Sequence, residues 1–185
     1  MPFDARINKK PLKNFLEATG RTAMAHTGST DRRLITKPLH GMRLVMTLAL
    51  FFCLPAVANE QLDRCFEEAS IRFGHKNPKV LRALAIQESS LRCTLRHPAN
   101  KDGSYDIGCM GINSSWLPLL RTKFGITEQD LYQPCTNIHV GAWLYARNIR
   151  QFGDDWRAIG AYGAVSEQKR IEYAWKINSK LDALR

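Results

Sequence analysis

The stretch Asn77-Pro78-Lys79-Val80-Leu81-Arg82-Ala83-Leu84-Ala85-Ile86-Gln87-Glu88-Ser89-Ser90-Leu91 decides how this chain is read. An asparagine followed by proline is a helix start. The Asn side chain can accept from an orphan backbone N–H, and proline lacks the donor that the first turn would leave unused. From there Leu81, Leu84, Ala85, Glu88 and Leu91 recur at the i, i+3, i+4, i+7 and i+10 positions of one helical face. The spacing predicts a helix to about Ser89 with a core-facing stripe, and Glu88 stands where that stripe calls for a hydrocarbon. A carboxyl held there loses water, which disfavours its charged form and raises its pKa. Retaining a proton near neutral pH is what a general acid requires. So close to the helix end, the same glutamate could instead turn outward into solvent, and periodicity leaves both possibilities open.

Helical signals continue on either side, and strand alternation is almost absent. A helix is predicted from about Glu60 to Phe73, stopped by Gly74. The run from Arg92 to Gly111 is rich in Pro, Asn, Asp and Gly and reads as a long ordered loop. Further helices are expected over roughly Ser114 to Phe124, closed by Gly125, and from Pro134 to about Phe152, with a short helical turn after Thr127 between them. Asp154 or Asp155 should cap a short helix through Trp156 and Ile159, and a last helix should cover Ser166 to about Leu184. Residues 59–185 hold no repeat or linker, so one small all-α domain is predicted.

The N-terminal third reads differently. Arg43, the short apolar run Leu44 to Leu54, Pro55 and then Ala56-Val57-Ala58 form the charged start, apolar stretch and small-residue cleavage site of a signal peptide over residues 42–58. The apolar run is too short for a comfortable membrane span, so no stable span is expected once it is cleaved. Residues 1–41 are basic and aperiodic, and are expected to be an extension upstream of a true start at Met42. The formal charge of +10 divides as +5 over residues 1–41, +1 over 42–58 and +4 over 59–185. Most of the excess therefore lies outside the predicted domain. What remains is scattered and not interleaved with aromatics, which argues against nucleic-acid binding and suits a polyanionic surface such as cell wall. Past the signal, four cysteines remain: Cys65, Cys93, Cys109 and Cys135. An even number behind an export signal points to two disulfides, in any of three pairings, in an oxidising compartment, here the periplasm. Their spacing matches no zinc motif, and neither a metal nor another cofactor is expected.

Three ordered motifs carry a resemblance: Glu88-Ser89 at the end of an apolar helix, Asp106-Ile107-Gly108-Cys109-Met110-Gly111-Ile112-Asn113, and Gly160-Ala161-Tyr162. Together they resemble the soluble-lytic-transglycosylase family with its lysozyme-like helical fold, over essentially all of residues 62–180. Pro134-Cys135, Gly141-Ala142, Trp156 and Ala158 are similar to its small secreted members, which accompany type III and type IV secretion, conjugation and type IV pilus systems. The resemblance implies that Glu88 protonates the glycosidic oxygen between N-acetylmuramic acid and N-acetylglucosamine in peptidoglycan. The muramic 6-hydroxyl then attacks the anomeric carbon with help from the N-acetyl group, Glu88 takes up its proton, and a 1,6-anhydro product leaves. It implies further that Tyr162 hydrogen-bonds the catalytic carboxyl and that Ser89 lies beside it in the groove; Met110 and Asn113 join them as candidates for binding sugar or supporting the acid, although Met110 would pack under the loop whether or not the site is active. Asn113, just before a helix, would serve equally as its N-cap. Cys65 and Cys135 match the subgroup's pair, leaving Cys93 with Cys109. Implied partners are the glycan strands and the components of an envelope-spanning machine.

The chain departs from the family pattern twice. Gly111 follows Met110 where the family has Gln, and Gly163 follows Tyr162 where it has Asn. Both changes remove amides expected to line the sugar groove or hold its wall, and they put sugar affinity or rate in question. Two other functions stay open. A lysozyme-type hydrolase would need a second carboxylate, Asp102 or Asp106, to activate water, although both suit turn geometry. A weakly active wall-binding component of a secretion machine would fit the altered glycine motifs.

Overall fold

The computed structural model describes residues 60–184. The predicted extension and signal segment lie outside the described residues. The domain is all-helical, as its sequence pattern predicts. A helix α1 runs through residues 60–73, followed by α2 (Pro78–Ser89), strands β1 (Asp106–Ile107) and β2 (Ile112–Asn113), α3 (Leu117–Phe124), α4 (Pro134–Phe152), α5 (Trp156–Gly163) and α6 (Glu167–Ala183). Short 3-10 turns at Ser114–Trp116 and Gln129–Tyr132 precede α3 and α4.

The helix ends follow the sequence signals. The Asn77 side chain accepts from the Lys79 N–H at 3.0 Å, and the Asp155 carboxylate accepts from the Arg157 N–H at 2.8 Å to open α5. Gly125 ends α3 at φ 72°, with Arg121 and Lys123 in the last turn complementing the helix dipole. The stretch expected as one helix from Ser114 divides in two. Pro118 can supply no donor to an ongoing ladder, so the regular helix starts around it and the preceding residues wind as a 3-10 turn.

The long loop is more ordered than predicted. It folds into an antiparallel pair with Asp106 opposite Asn113 and Ile107 opposite Ile112, and Arg96 bridges to Ile107 on the other side. Strands of two residues leave no alternation in a sequence, so pattern reading has nothing to detect.

In the core, α5 packs along α6 and against α4, and α6 lies across α2. Leu81, Leu84, Ile107, Ile112, Ile138 and Ile177 are fully buried between these layers. His75, just past α1, places Nε2 3.0 Å from the Ala142 carbonyl and ties that turn to α4. The four cysteines meet in the pairs expected from the resemblance, Cys65 against Cys135 and Cys93 against Cys109. No helix among the described residues is long and apolar enough to cross a membrane.

Candidate active site

Helix α2 ends abruptly. Ser90 and Leu91 both adopt left-handed conformations, at φ 54° and 63°, and their N–H groups return to the carbonyls of Ile86 and Ala85. Such conformations cost side-chain-bearing residues roughly 1 kcal/mol each. The reversal leaves Glu88 in the last turn, on the wall of a cleft that is also lined by Asp106, Asn113, Trp116, Arg147, Asn148 and Tyr162. Burial pushes the Glu88 carboxyl above the usual carboxylate range. The Tyr173 hydroxyl pulls it back down, and the nearby negative charge of Asp106 pushes it up again.

The tyrosine that reaches the acid differs from expectation. Tyr162 O–H donates to the Met110 carbonyl at 2.8 Å, whereas Tyr173 O–H, from α6, donates to Glu88 Oε1. The two glycines beside these groups explain how they fit. Gly163 packs directly against the Tyr173 ring, and a Cβ there would overlap it. Gly111, at φ 59°, lies so close to the acid that a Cβ would come within 2.8 Å of Glu88 Oε2. The positions read from sequence as lost groove amides are thus the space taken by the acid and the phenol that holds it. Both tyrosines have hydroxyl pKa values raised by burial and by the charge of Glu88, so they act as donors.

Of the other residues picked from sequence, Asn113 lines the cleft and does two jobs. Its Oδ1 accepts from the Ser115 N–H at 3.0 Å as an N-cap, and its Nδ2 donates to Asp106 at 2.9 Å. Ser89 and Met110 do not open on the cleft. Ser89 is 2% exposed and donates to the Cys109 carbonyl at 3.1 Å, fastening the loop to the helix. Met110 is fully buried against Gly141. Asp102 is also outside the cleft, and its carboxylate accepts from the N–H and hydroxyl of Ser104 in a surface turn.

Sequence reading missed Tyr173 and Asn137. Fully buried on α4, Asn137 accepts from the Met110 N–H at 2.8 Å and donates to the carbonyls of Ile107 and Leu131 at 3.0 and 2.8 Å. It satisfies the backbone of the hairpin turn that carries Met110 and Gly111. Gly108, at φ 71°, allows the close approach: a Cβ there would press on the Asn137 amide. A polar residue directly ahead of the apolar positions Ile138, Val140, Ala142 and Trp143 was the available signal.

Fold and cleft together define a lysozyme-like helical domain that holds one desolvated carboxylic acid at its groove. The chain belongs to the transglycosylase SLT domain family, whose profile matches residues 64–179. Invasion protein IagB of Salmonella typhimurium is 38% identical over 119 residues, 61% of this chain and 72% of that protein. A peptidoglycan-binding-like protein of Escherichia coli O157:H7 is 35% identical over 144 residues, 72% of this chain and 83% of its own length. Protein IpgF of Shigella flexneri is 32% identical over 115 residues, 60% and 74% of the two chains.

Proposed function

We propose that this chain is a peptidoglycan lytic transglycosylase that cleaves the β-1,4 bond between N-acetylmuramic acid and N-acetylglucosamine. The observation that carries this proposal is the Glu88 carboxyl, desolvated on the cleft wall and hydrogen-bonded by Tyr173. Held protonated, it donates to the glycosidic oxygen as the bond to the anomeric carbon breaks, and the N-acetylglucosamine hydroxyl leaves. The resulting carboxylate, steadied by the Tyr173 O–H, then accepts the proton of the muramic 6-hydroxyl as that oxygen bonds to the anomeric carbon. Glu88 ends protonated again and the product is a 1,6-anhydro sugar. No water and no second carboxylate enter the scheme. Tyr162 and Asn137 shape the site through the Met110 backbone.

The family membership and a relative named for peptidoglycan binding support the substrate class. A relative named an invasion protein supports a place beside an envelope-spanning machine, where local opening of the wall serves its assembly. We place the mature chain in the periplasm, with residues 42–58 as the signal and Cys65–Cys135 and Cys93–Cys109 as its disulfides.

A second mechanism draws on Asp106, the other carboxylate lining the cleft. In a lysozyme-type hydrolase it would activate water and leave a reducing end. Digestion of purified sacculi followed by mass spectrometry separates the two. Wild type should release 1,6-anhydro products, and Glu88→Gln should lower the rate by roughly 10²–10⁴-fold. Equal clearance by both would sink the enzymatic proposal, and reducing ends in place of anhydro ends would favour the hydrolase.

A further inference from the structure

Among the described residues, the side-chain amides that line the cleft are those of Asn113 and Asn148. Asn113 is spent within the protein. Its Nδ2 donates to Ser104 Oγ at 3.1 Å and to Asp106 at 2.9 Å, and its Oδ1 accepts from the Ser115 N–H at 3.0 Å. Asn148, on α4, is bound on one side. Its Nδ2 donates to the Ala158 carbonyl of α5 at 3.4 Å, and among the described residues nothing donates to its Oδ1. The residue is half-buried on the cleft wall, so that oxygen has water or a ligand as its partner.

Apolar groups flank this amide. Leu144 lies one helical turn earlier on the same face of α4, and Ala161 lies one turn beyond Ala158 on α5. Both line the cleft, and the bond from Asn148 to Ala158 brings their two turns together. One open acceptor beside two hydrocarbon side chains is a poor match for a sugar hydroxyl, which has no apolar group of its own to bury. It matches an acetamide, which has one N–H to give and a methyl to remove from water. The amides expected from the family after Met110 and Tyr162 are Gly111 and Gly163 here, so neither of those positions supplies such a contact. We propose that Asn148 recognises the sugar's 2-acetamido group: its Oδ1 accepts the acetamide N–H, and the methyl enters between Leu144 and Ala161. This inference rests on the glycan-cleaving function proposed above and names the residue that reads the 2-substituent. That group has two sources, N-acetylglucosamine and N-acetylmuramic acid. On the second, the same bond holds the acetamide whose carbonyl assists at the anomeric carbon.

Binding in the Glu88→Gln background separates recognition from cleavage. N-acetyl chito-oligosaccharides and cello-oligosaccharides of equal length are both neutral and differ at the 2-position alone. In NMR titrations, adding Asn148→Leu should weaken the chito-oligosaccharide by about 5–10-fold, the scale of one lost hydrogen bond. It should leave the cello-oligosaccharide within about twofold. Asn148→Asp keeps the acceptor and loses the donor to Ala158, and it should recover part of the loss. Glycan strands de-N-acetylated on glucosamine alone or on muramic acid alone then locate the group, because the penalty of Asn148→Leu should vanish on the strand that lacks the acetamide it reads. With Glu88 restored, a glucosamine contact should appear as a raised KM and a muramic contact as a lowered kcat. Equal weakening of both oligomers would mean that Asn148 only ties α4 to α5, and this overturns the inference. So does weakening of neither, or a penalty undiminished on both de-N-acetylated strands. Thermal melting of each variant checks that the fold is kept. Wild type failing to cut sacculi while the 2-substituent preference persists would instead fault the cleavage proposal.

Discussion

The proton on Glu88 answers to three influences: burial and the Asp106 charge hold it on, while the Tyr173 hydroxyl favours its release. Removing the two polar influences should therefore move the activity profile in opposite directions. A general acid works below its pKa, so activity falls as pH rises through that value. Tyr173→Phe removes a donor that stabilises the carboxylate, and the alkaline limb of kcat/KM should move to higher pH. Asp106→Asn removes a like charge, and the same limb should move to lower pH. Rates on labelled sacculi across a pH series measure both, and shifts of the same sign would refute this account of the site. Glu88 itself was legible because a carboxyl among Leu81, Leu84 and Ala85 breaks a pattern. Tyr173 was not. It stands on one face of α6 with Ile177 and Leu181, where an aromatic ring reads as core, and no local signal says that its hydroxyl meets another helix. Tyr162, chosen by motif, takes a place one contact away, on the Met110 carbonyl.

At the scale of elements, the site depends on how closely α5 and α6 approach. Gly163 closes α5 against the Tyr173 ring, so the phenol's reach to Glu88 is set by a missing side chain on the neighbouring helix. Gly163→Ala should push the ring aside, destabilise the fold by about 1–3 kcal/mol through overpacking, and raise the alkaline limb as Tyr173→Phe does. Thermal melts and the same pH series check this, and a wild-type profile in both would show that the ring has room to spare. The helices themselves were readable from Asn77-Pro78, Gly125, Pro134 and Asp155, because capping and proline chemistry act within a few residues. The hairpin was not, since its order comes from Asn137, about thirty residues further along the chain. For the same reason the departures at Gly111 and Gly163 read as losses in one dimension and as close packing in three.

For the whole molecule, the cysteine pairs set how the parts stay together. Cys65–Cys135 joins α1 to the start of α4 across a separation of 70 residues, and Cys93–Cys109 closes 16 residues of the loop after α2. As disulfides, they constrain the unfolded chain by roughly 4–5 and roughly 3 kcal/mol on the loop-entropy scale. Cys65→Ser/Cys135→Ser should then lower the urea midpoint more than Cys93→Ser/Cys109→Ser, while the second pair, nearer the acid, should cost more activity per unit of stability lost. The reverse ranking of midpoints would count against this linkage. The buried acid bears on the same global balance. Because folding raises the Glu88 pKa, the folded state favours the protonated carboxyl. The stability it contributes is full below the unfolded value and is lost as pH rises through the folded one. Glu88→Gln, neutral at every pH, should thus gain in melting temperature over wild type as the buffer moves from about pH 4 to pH 8, the upper range of carboxyl titration being the interval that matters. A constant difference across that range would mean that the carboxyl feels water after all. A wild type less durable near neutrality than its amide variant would carry the thermodynamic mark of a residue kept for reactivity, as the proposed mechanism asks of Glu88.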